Sequence, residues 1–238
     1  MKIALIGYGK MGKAIEEVAL QKGHSITLKI DHENRQELTI DNLHKADVAI
    51  EFTGPETAMA NICTCIDAGI PVISGSTGWL QDLPKVKDYC LQKNGTFLYA
   101  SNFSIGVNIF FELNKKLAAL MSNLPDYDVS IEEIHHTQKK DAPSGTAITL
   151  AEQVIEGSPR KSSWVNSLPA TEGQLSILSK RIDPAPGTHT VKYSSAVDDI
   201  EIIHTAHSRR GFAAGAVLAA EFLQGKKGIF SMKDVLGI

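Results

Sequence analysis

Along the first hundred residues, short unbroken apolar runs alternate with stretches whose apolar positions recur every three or four residues. Lys2 to Ile6 is a run of the buried-strand type, and Met11, Ala14, Ile15, Val18 and Ala19 then share one side of a helix. Ser25 to Ile30 reads as the next strand. Strands are also predicted at Ala46 to Phe52, Pro71 to Ser74 and Thr96 to Ala100. Helices fall between them at Glu56 to Ala68, stopped by Gly69, and at Leu83 to Lys93, capped by Asn94-Gly95. Regular β–α alternation predicts an α/β fold with a Rossmann-type, doubly wound parallel sheet and right-handed crossovers.

The pattern changes after residue 103. Ile105 to Leu124 has helical spacing and meets Pro125. Asp128 to His135 alternates, with Val129, Ile131 and Glu133 on one face and Ser130, Glu132 and Ile134 on the other. A helix is predicted over Ala147 to Ile155, broken by Gly157-Ser158-Pro159. Strands follow at Leu175 to Ile182, His189 to Ser195 and Ile200 to His207, joined by turn-length links, which predicts a mixed or antiparallel sheet in a second, α+β domain. Phe212 to Leu223 returns to helix, and the tail from Gly228 to Leu236 is expected to pack back on the first domain. The predicted domains are therefore 1–103 plus 209–238, and 104–208.

Composition narrows the function classes. The 238 residues are 43% hydrophobic and 21% charged, a globular balance that allows two modest domains. A net charge of −3 and a pI near 6.2 give no pull toward nucleic acid or anionic membrane. No run approaches the roughly 18 apolar residues of a membrane span. The N-terminal apolar run meets Gly7 too early for a secretory segment of about 7–15 residues, so a cytoplasmic protein is expected. Cys63, Cys65 and Cys90 are odd in number and lack metal-type spacing, so neither disulfides nor a metal site is predicted.

The first strand runs into Gly7-Tyr8-Gly9-Lys10-Met11-Gly12, and Asp31 ends the second, 19 residues past Gly12. In this context Gly7 permits the turn, Gly9 admits a pyrophosphate, Gly12 lets helix and strand approach, and Asp31 can accept from ribose hydroxyls. Phosphates would sit on the helix N-terminus. A carboxylate at Asp31 repels a 2′-phosphate and favours NADH; His32 and Arg35 lie near enough to offset this and keep NADPH open. Thr53, Gly75, Ser76, Thr77, Ser101 and Asn102 follow the ends of strands, where such sheets hold their ligands.

The densest chemistry lies between Glu132 and Thr146. Two histidines, two lysines and three carboxylates lead through Pro143 and Ser144 into a helix start. Ser144 is placed as an N-cap, and Gly145 and Thr146 would offer N–H groups to an anion. His135 is the candidate general acid, because imidazole can donate a proton near neutral pH. From the residues alone, another small-acid dehydrogenase, or a protein that binds NAD without turnover, also stays open.

This segment, from Glu133-Ile134-His135-His136 through Lys139 to Asp141-Ala142-Pro143-Ser144-Gly145-Thr146-Ala147, resembles the signature of the 4-hydroxy-tetrahydrodipicolinate reductase family of lysine and diaminopimelate synthesis. Gly9-Lys10-Met11-Gly12, Glu51-Phe52-Thr53, Gly75-Ser76-Thr77-Gly78 and Ala100-Ser101-Asn102-Phe103 are similar to that family's cofactor loops and hinge, as are Phe212 to Ala216 and Phe230 to Leu236 to its C-terminal segment. The region from Pro159 to Gln174 is shorter than in most members.

The resemblance implies a nicotinamide-dependent reduction of a cyclic imine dicarboxylate. It makes Lys10, Met11, Phe52, Ala100 and Phe103 cofactor contacts, Lys139 a second acid and substrate contact, and His136 a ligand of a substrate carboxylate. Arg209 is a further carboxylate candidate. It also implies a homotetramer assembled through the sheet of the second domain.

Overall fold

The computed structural model describes residues 1–167, 170–208 and 210–238. In chain order the elements are β1 (Lys2–Ile6), α1 (Lys10–Gln21), β2 (Ser25–Ile30), α2 (Ile40–Leu43), β3 (Val48–Glu51), α3 (Pro55–Asp67), β4 (Val72–Ser74), α4 (Leu83–Gln92), β5 (Thr96–Tyr99), α5 (Ile105–Met121), β6 (Asp128–His135), α6 (Gly145–Gly157), β7 (Ser163–Val165), β8 (Gln174–Arg181), β9 (Gly187–Ser194), β10 (Asp199–Ala206), α7 (Arg210–Phe222), β11 (Gly228–Phe230) and α8 (Met232–Leu236). They fall into two units, Met1–Ile105 with Arg210–Ile238, and Gly106–Arg209.

The first unit holds a six-stranded parallel sheet in the order β11-β5-β4-β3-β1-β2. Its central strands are mostly apolar because both faces are covered, whereas edge strand β2 carries Ser25, Thr27 and Lys29. Ile3 and Leu5 of β1 pack toward α1 and α7, with Ile15, Val18, Ala216 and Ala220. Ala4 and Ile6 point the other way, into a cluster with Ile62, Cys65, Val86 and Cys90 of α3 and α4. The apolar runs therefore end where the sheet does, and the loops beyond carry the polar residues.

The second unit is built on a five-stranded mixed sheet, β10-β9-β6-β8-β7. Central β6 pairs antiparallel with β9 and parallel with β8. Val129 and Ile131 of β6, Ile177 of β8 and Val191 of β9 form one apolar face against Phe110 and Ala118 of α5 and Leu150 and Val154 of α6. Asn114 is buried between the two helices, where its amide donates to the Leu150 carbonyl at 3.0 Å.

Several details differ from the periodicity. Helix α5 stops at Met121 rather than Leu124, with the Ser122 hydroxyl turned back onto the Ala119 carbonyl at 2.8 Å. Helix α7 starts at Arg210 rather than Phe212. The short α2 and β7 carry too few apolar positions to show a period. Among the described residues, no helix is long and apolar enough to cross a membrane.

Candidate active site

The buried face of β6 starts apolar and ends ionisable. Val129, Ile131, Glu133 and His135 alternate with more exposed neighbours, so the last two point where the first two do. Register supplies their company. His189 of β9 lies across from Glu133, and Arg181 of β8 lies across from His135.

Glu133 is fully buried and is the hub. Its Oε1 accepts from the backbone N–H of Ser144 and from Arg181 Nη2, each at 3.1 Å. Its Oε2 lies 3.0 Å from His135 Nδ1, at ion-pair distance though off full hydrogen-bond alignment, and 3.8 Å from His189 Nε2. Burial alone would raise the carboxyl's pKa, but the donors around it, His135 first and then Ser144, Ser179 and Arg181, hold it well below the usual carboxylate range. The ionised form of Glu133 is therefore the folded form.

Ser144 ties this hub to the next helix. Its hydroxyl caps α6 by accepting from the Ala147 N–H at 3.2 Å, and it is hydrogen-bonded to His189 Nε2 at 3.1 Å. Gly145 follows at the first turn, exposed, and a Cβ added there would meet nothing within 4 Å. Thr146 and His136 are half-buried, the one next along α6 and the other just past the end of β6. Lys139 Nζ reaches both Asp141 oxygens, at 2.9 and 2.8 Å, and Arg181 also donates to the Asp141 carbonyl. Thr137 is pinned through its N–H and hydroxyl by the Asp183 carboxylate. Arg209 lies outside the described residues. A concavity of about 960 Å³ opens at the other end of β6. Lys161 there is paired with Asp128, and Arg160 with the carbonyls of Leu124, Pro125 and Tyr127.

In the first unit, Gly7, Gly9, Asp31, Phe52 and Thr53 line one cavity of about 480 Å³, together with His32, Arg35 and Asn61. Gly7 has φ +99°, and a Cβ there would lie 2.0 Å from the Phe52 carbonyl oxygen. A Cβ on Gly12 would lie 2.3 Å from the Gly7 oxygen. Gly9 is open: a Cβ there would meet nothing within 4 Å, which leaves its backbone approachable. Lys10 and Met11 fall in the first turn of α1. Asp31 uses Oδ1 to hold the turn that follows, accepting from the N–H groups of Glu33 and Asn34 at 2.8 and 3.3 Å. Ser76 donates into the same loop system, and Gly75 passes so close to the Phe52 ring that a Cβ would lie 2.2 Å from it. Thr77 is exposed. Ala100, Ser101, Asn102 and Phe103 follow β5; the Phe103 and Phe52 rings are 5.6 Å apart, and the Asn102 side chain accepts from the Ser104 N–H at 2.8 Å.

Comparison with known proteins decides the family. The family described as "Dihydrodipicolinate reductase, N-terminus" matches residues 1–103, and "Dihydrodipicolinate reductase, C-terminus" matches 106–236. A 4-hydroxy-tetrahydrodipicolinate reductase from Christiangramia forsetii is 53% identical over 99% of this chain and 98% of its own. One from Methanosarcina acetivorans is 37% identical over 99% and 89%. The chain belongs to the dihydrodipicolinate reductase family. The fold agrees: a dipicolinate-bound dihydrodipicolinate reductase from Paenisporosarcina superposes with a TM-score of 0.75 at 22% identity, over 97% of each chain. A probable dehydrogenase from Thermotoga maritima shares the fold more loosely, with a TM-score of 0.57 at 10% identity over 99% and 92%.

As a nicotinamide-dependent oxidoreductase of the dihydrodipicolinate reductase family, the chain shows two groups that its sequence hid. Glu51 is a fully buried carboxylate at the end of β3. It accepts from the Ser74 and Ser76 hydroxyls and from the N–H and hydroxyl of Thr53, so it knits together the loops after β3 and β4. Its signals were an acid closing an otherwise apolar strand and its place in the Glu51-Phe52-Thr53 motif. His189 is the other. With Glu133 and His135 it brings possible metal-ligand atoms within 4.8 Å of one another, although spacing along the chain predicts no such cluster. The Arg181 guanidinium already on Glu133 opposes a cation there, and the grouping reads as a carboxylate set among cationic and neutral nitrogen partners.

His189 also sets an acid limit on stability. Burial first, and then the charge of His135, push its pKa from 6.5 down to about 3. Between those values the unfolded chain binds the extra proton. Stability is thus whole above about pH 6.5 and falls as the pH drops toward 3, by up to about 1.4 kcal/mol per pH unit. Glu133, also lowered in the fold, adds in the same direction below its ordinary range. Thermal melts from pH 7 to 4 should show a falling midpoint, and His189→Gln should flatten that slope. An unchanged slope contradicts the assignment.

Proposed function

We propose that this chain reduces 4-hydroxy-tetrahydrodipicolinate, through its dehydrated form dihydrodipicolinate, to tetrahydrodipicolinate, on the lysine and diaminopimelate route. The observation that carries the reading is the joined arrangement at the end of β6. A buried imidazole, His135, stands against an ionised carboxylate, and that carboxylate is bonded to the capped N-terminus of α6.

His135 is the general acid of this reading. Glu133 faces its Nδ1, which leaves Nε2 as the nitrogen that donates to the substrate carbon. Gly187 keeps that nitrogen approachable, since a Cβ at 187 would crowd Nε2 at 3.0 Å. Lys139, steadied by Asp141, supplies a cation for a carboxylate and a second donor. The N–H groups of Gly145 and Thr146, at the positive end of α6, receive a carboxylate, and His136 assists. Arg209 is a further carboxylate contact on sequence grounds.

The glycine cradle and the cavity beside it fit a dinucleotide: Gly9 is open, while Gly7 and Gly12 have no room for a side chain. Gly7 to Gly12, Asp31, Phe52, Thr53, Gly75 to Thr77 and Ala100 to Phe103 would hold it. When bound, reduced nicotinamide supplies the hydride. Asp31 within the cavity favours NADH, although His32 and Arg35 line it too. The test is an assay in which dihydrodipicolinate synthase generates the substrate from aspartate semialdehyde and pyruvate. The chain should oxidise NADH with a higher kcat/KM than NADPH. Oxidation of neither sinks the reading, and a clear NADPH preference overturns the role given to Asp31.

Assembly as a homotetramer through the sheet of the second unit belongs to the same proposal. It is supported by the edge strand β10, which exposes Ile200 and Ile203. A monomer by light scattering contradicts it.

A further inference from the structure

We infer that Glu133 is the positioning residue of the reaction: one buried carboxylate fixes the His135 imidazole and the N-terminus of α6 in a common frame. The inference rests on the reading of His135 as the acid and deepens it. Four groups meet this carboxylate from four parts of the chain. His135 Nδ1 comes from the same strand at 3.0 Å, Arg181 from β8 at 3.1 Å, His189 from β9 at 3.8 Å, and the Ser144 N–H from the start of α6 at 3.1 Å. Arg181 passes the constraint on, because it also donates to the carbonyl of Asp141, whose side chain holds Lys139. The acid, the second cation and the helix that takes a carboxylate thus hang on one side chain.

The chemistry follows from the sign of the charge. An ionised carboxylate on Nδ1 fixes the imidazole tautomer and orientation, and it stabilises the imidazolium that must exist before a proton is given. Arg181, on the other oxygen, draws on the same charge and acts in the opposite sense. His189 stays neutral because it is buried, so it does not compete as a cation. Beyond it, His204 of β10 is its register partner, and burial lowers that group as well. Lys139 and Asp141 complete the charged neighbours and largely cancel each other. A filler role accounts poorly for this geometry. Ile131, Ile177 and Val191 continue the same face as an apolar core, where a carboxylate without partners would be costly.

Glu133→Gln tests the inference, since the amide keeps the shape and can still accept from Ser144 but carries no charge. The ring titration of His135, followed by NMR, should move down in the variant. The basic limb of the kcat/KM profile should move down with it. We expect kcat to fall about 10- to 100-fold with KM for the dicarboxylate little changed, as for other groups that orient a functional histidine. Arg181→Gln should move the His135 titration the other way, to higher pH, and this second variant decides the matter if Glu133→Gln fails to fold. A His135 titration that stays put in the variant, whatever happens to activity, overturns the inference. If the ring titration moves and the kinetic limb does not, the Glu133 assignment stands and the reading of His135 as the acid is the one that fails.

Discussion

Replacing His135 with Gln should lower kcat by roughly 10²–10⁴-fold, the usual worth of a placed general acid. The substitution keeps a polar side chain of similar reach, so the strand end should stay folded. It removes an imidazole that is both buried and backed by an ionised carboxylate. The dicarboxylate is held elsewhere in this account, by the α6 N-terminus, His136 and Lys139, so KM should change by only a few-fold. Lys139→Ala should behave differently, raising KM as well as lowering kcat, because its ammonium serves binding and proton donation together. Steady-state kinetics on the two variants separates these outcomes. A His135→Gln enzyme with near-normal kcat moves the acid to Lys139.

Gly7→Ala should be among the most damaging single changes in the first unit. Two costs fall on one methyl group. The backbone at φ +99° is strained for any residue with a Cβ, at about 1–3 kcal/mol. The Cβ would also sit 2.0 Å from the Phe52 carbonyl oxygen, and crowding of this kind adds about 1–3 kcal/mol as strands shift to make room. Against a total stability of about 5–15 kcal/mol, the melting temperature should fall by several degrees at least, and nucleotide binding should be lost with the loop. Gly9→Ala is the control. It clashes with nothing, so its cost should stay near the roughly 1 kcal/mol of a poorer helix cap, while affinity for NADH still drops because the backbone there is no longer bare. Thermal melts and a fluorescence titration with NADH read both effects. Equal damage from the two substitutions contradicts the separate roles assigned to these glycines.

Much of this molecule was legible in its residues, and the reasons are local. Apolar runs marked the strands of the parallel sheet because that sheet is covered on both faces. The glycine spacing marked the cofactor loop because Gly7 and Gly12 leave no room for a side chain, while Gly9 keeps the backbone bare. The run from Glu133 to Thr146 was legible as strand end, loop and capped helix because its chemistry is contiguous. What stayed hidden depends on strand order. Arg181 and His189 lie 48 and 56 residues beyond Glu133, and only the pairing of β8 and β9 on either side of β6 brings them to it. Glu51 stands out in the sequence merely as part of a motif, since burial of a charged side chain cannot be seen without the serines that satisfy it. The glycine-loop spacing marks Asp31 as a ribose candidate but does not show that its Oδ1 also holds the local turn.

The most direct test of the central claim is to follow the transferred atom. The chain is given enzymatically generated 4-hydroxy-tetrahydrodipicolinate and NADH bearing deuterium at its transferable position, and the product is weighed by mass spectrometry. The account predicts tetrahydrodipicolinate carrying one deuterium, formed in equal amount to the cofactor oxidised. Oxidation that yields unlabelled product, or no reduced product at all, would contradict it.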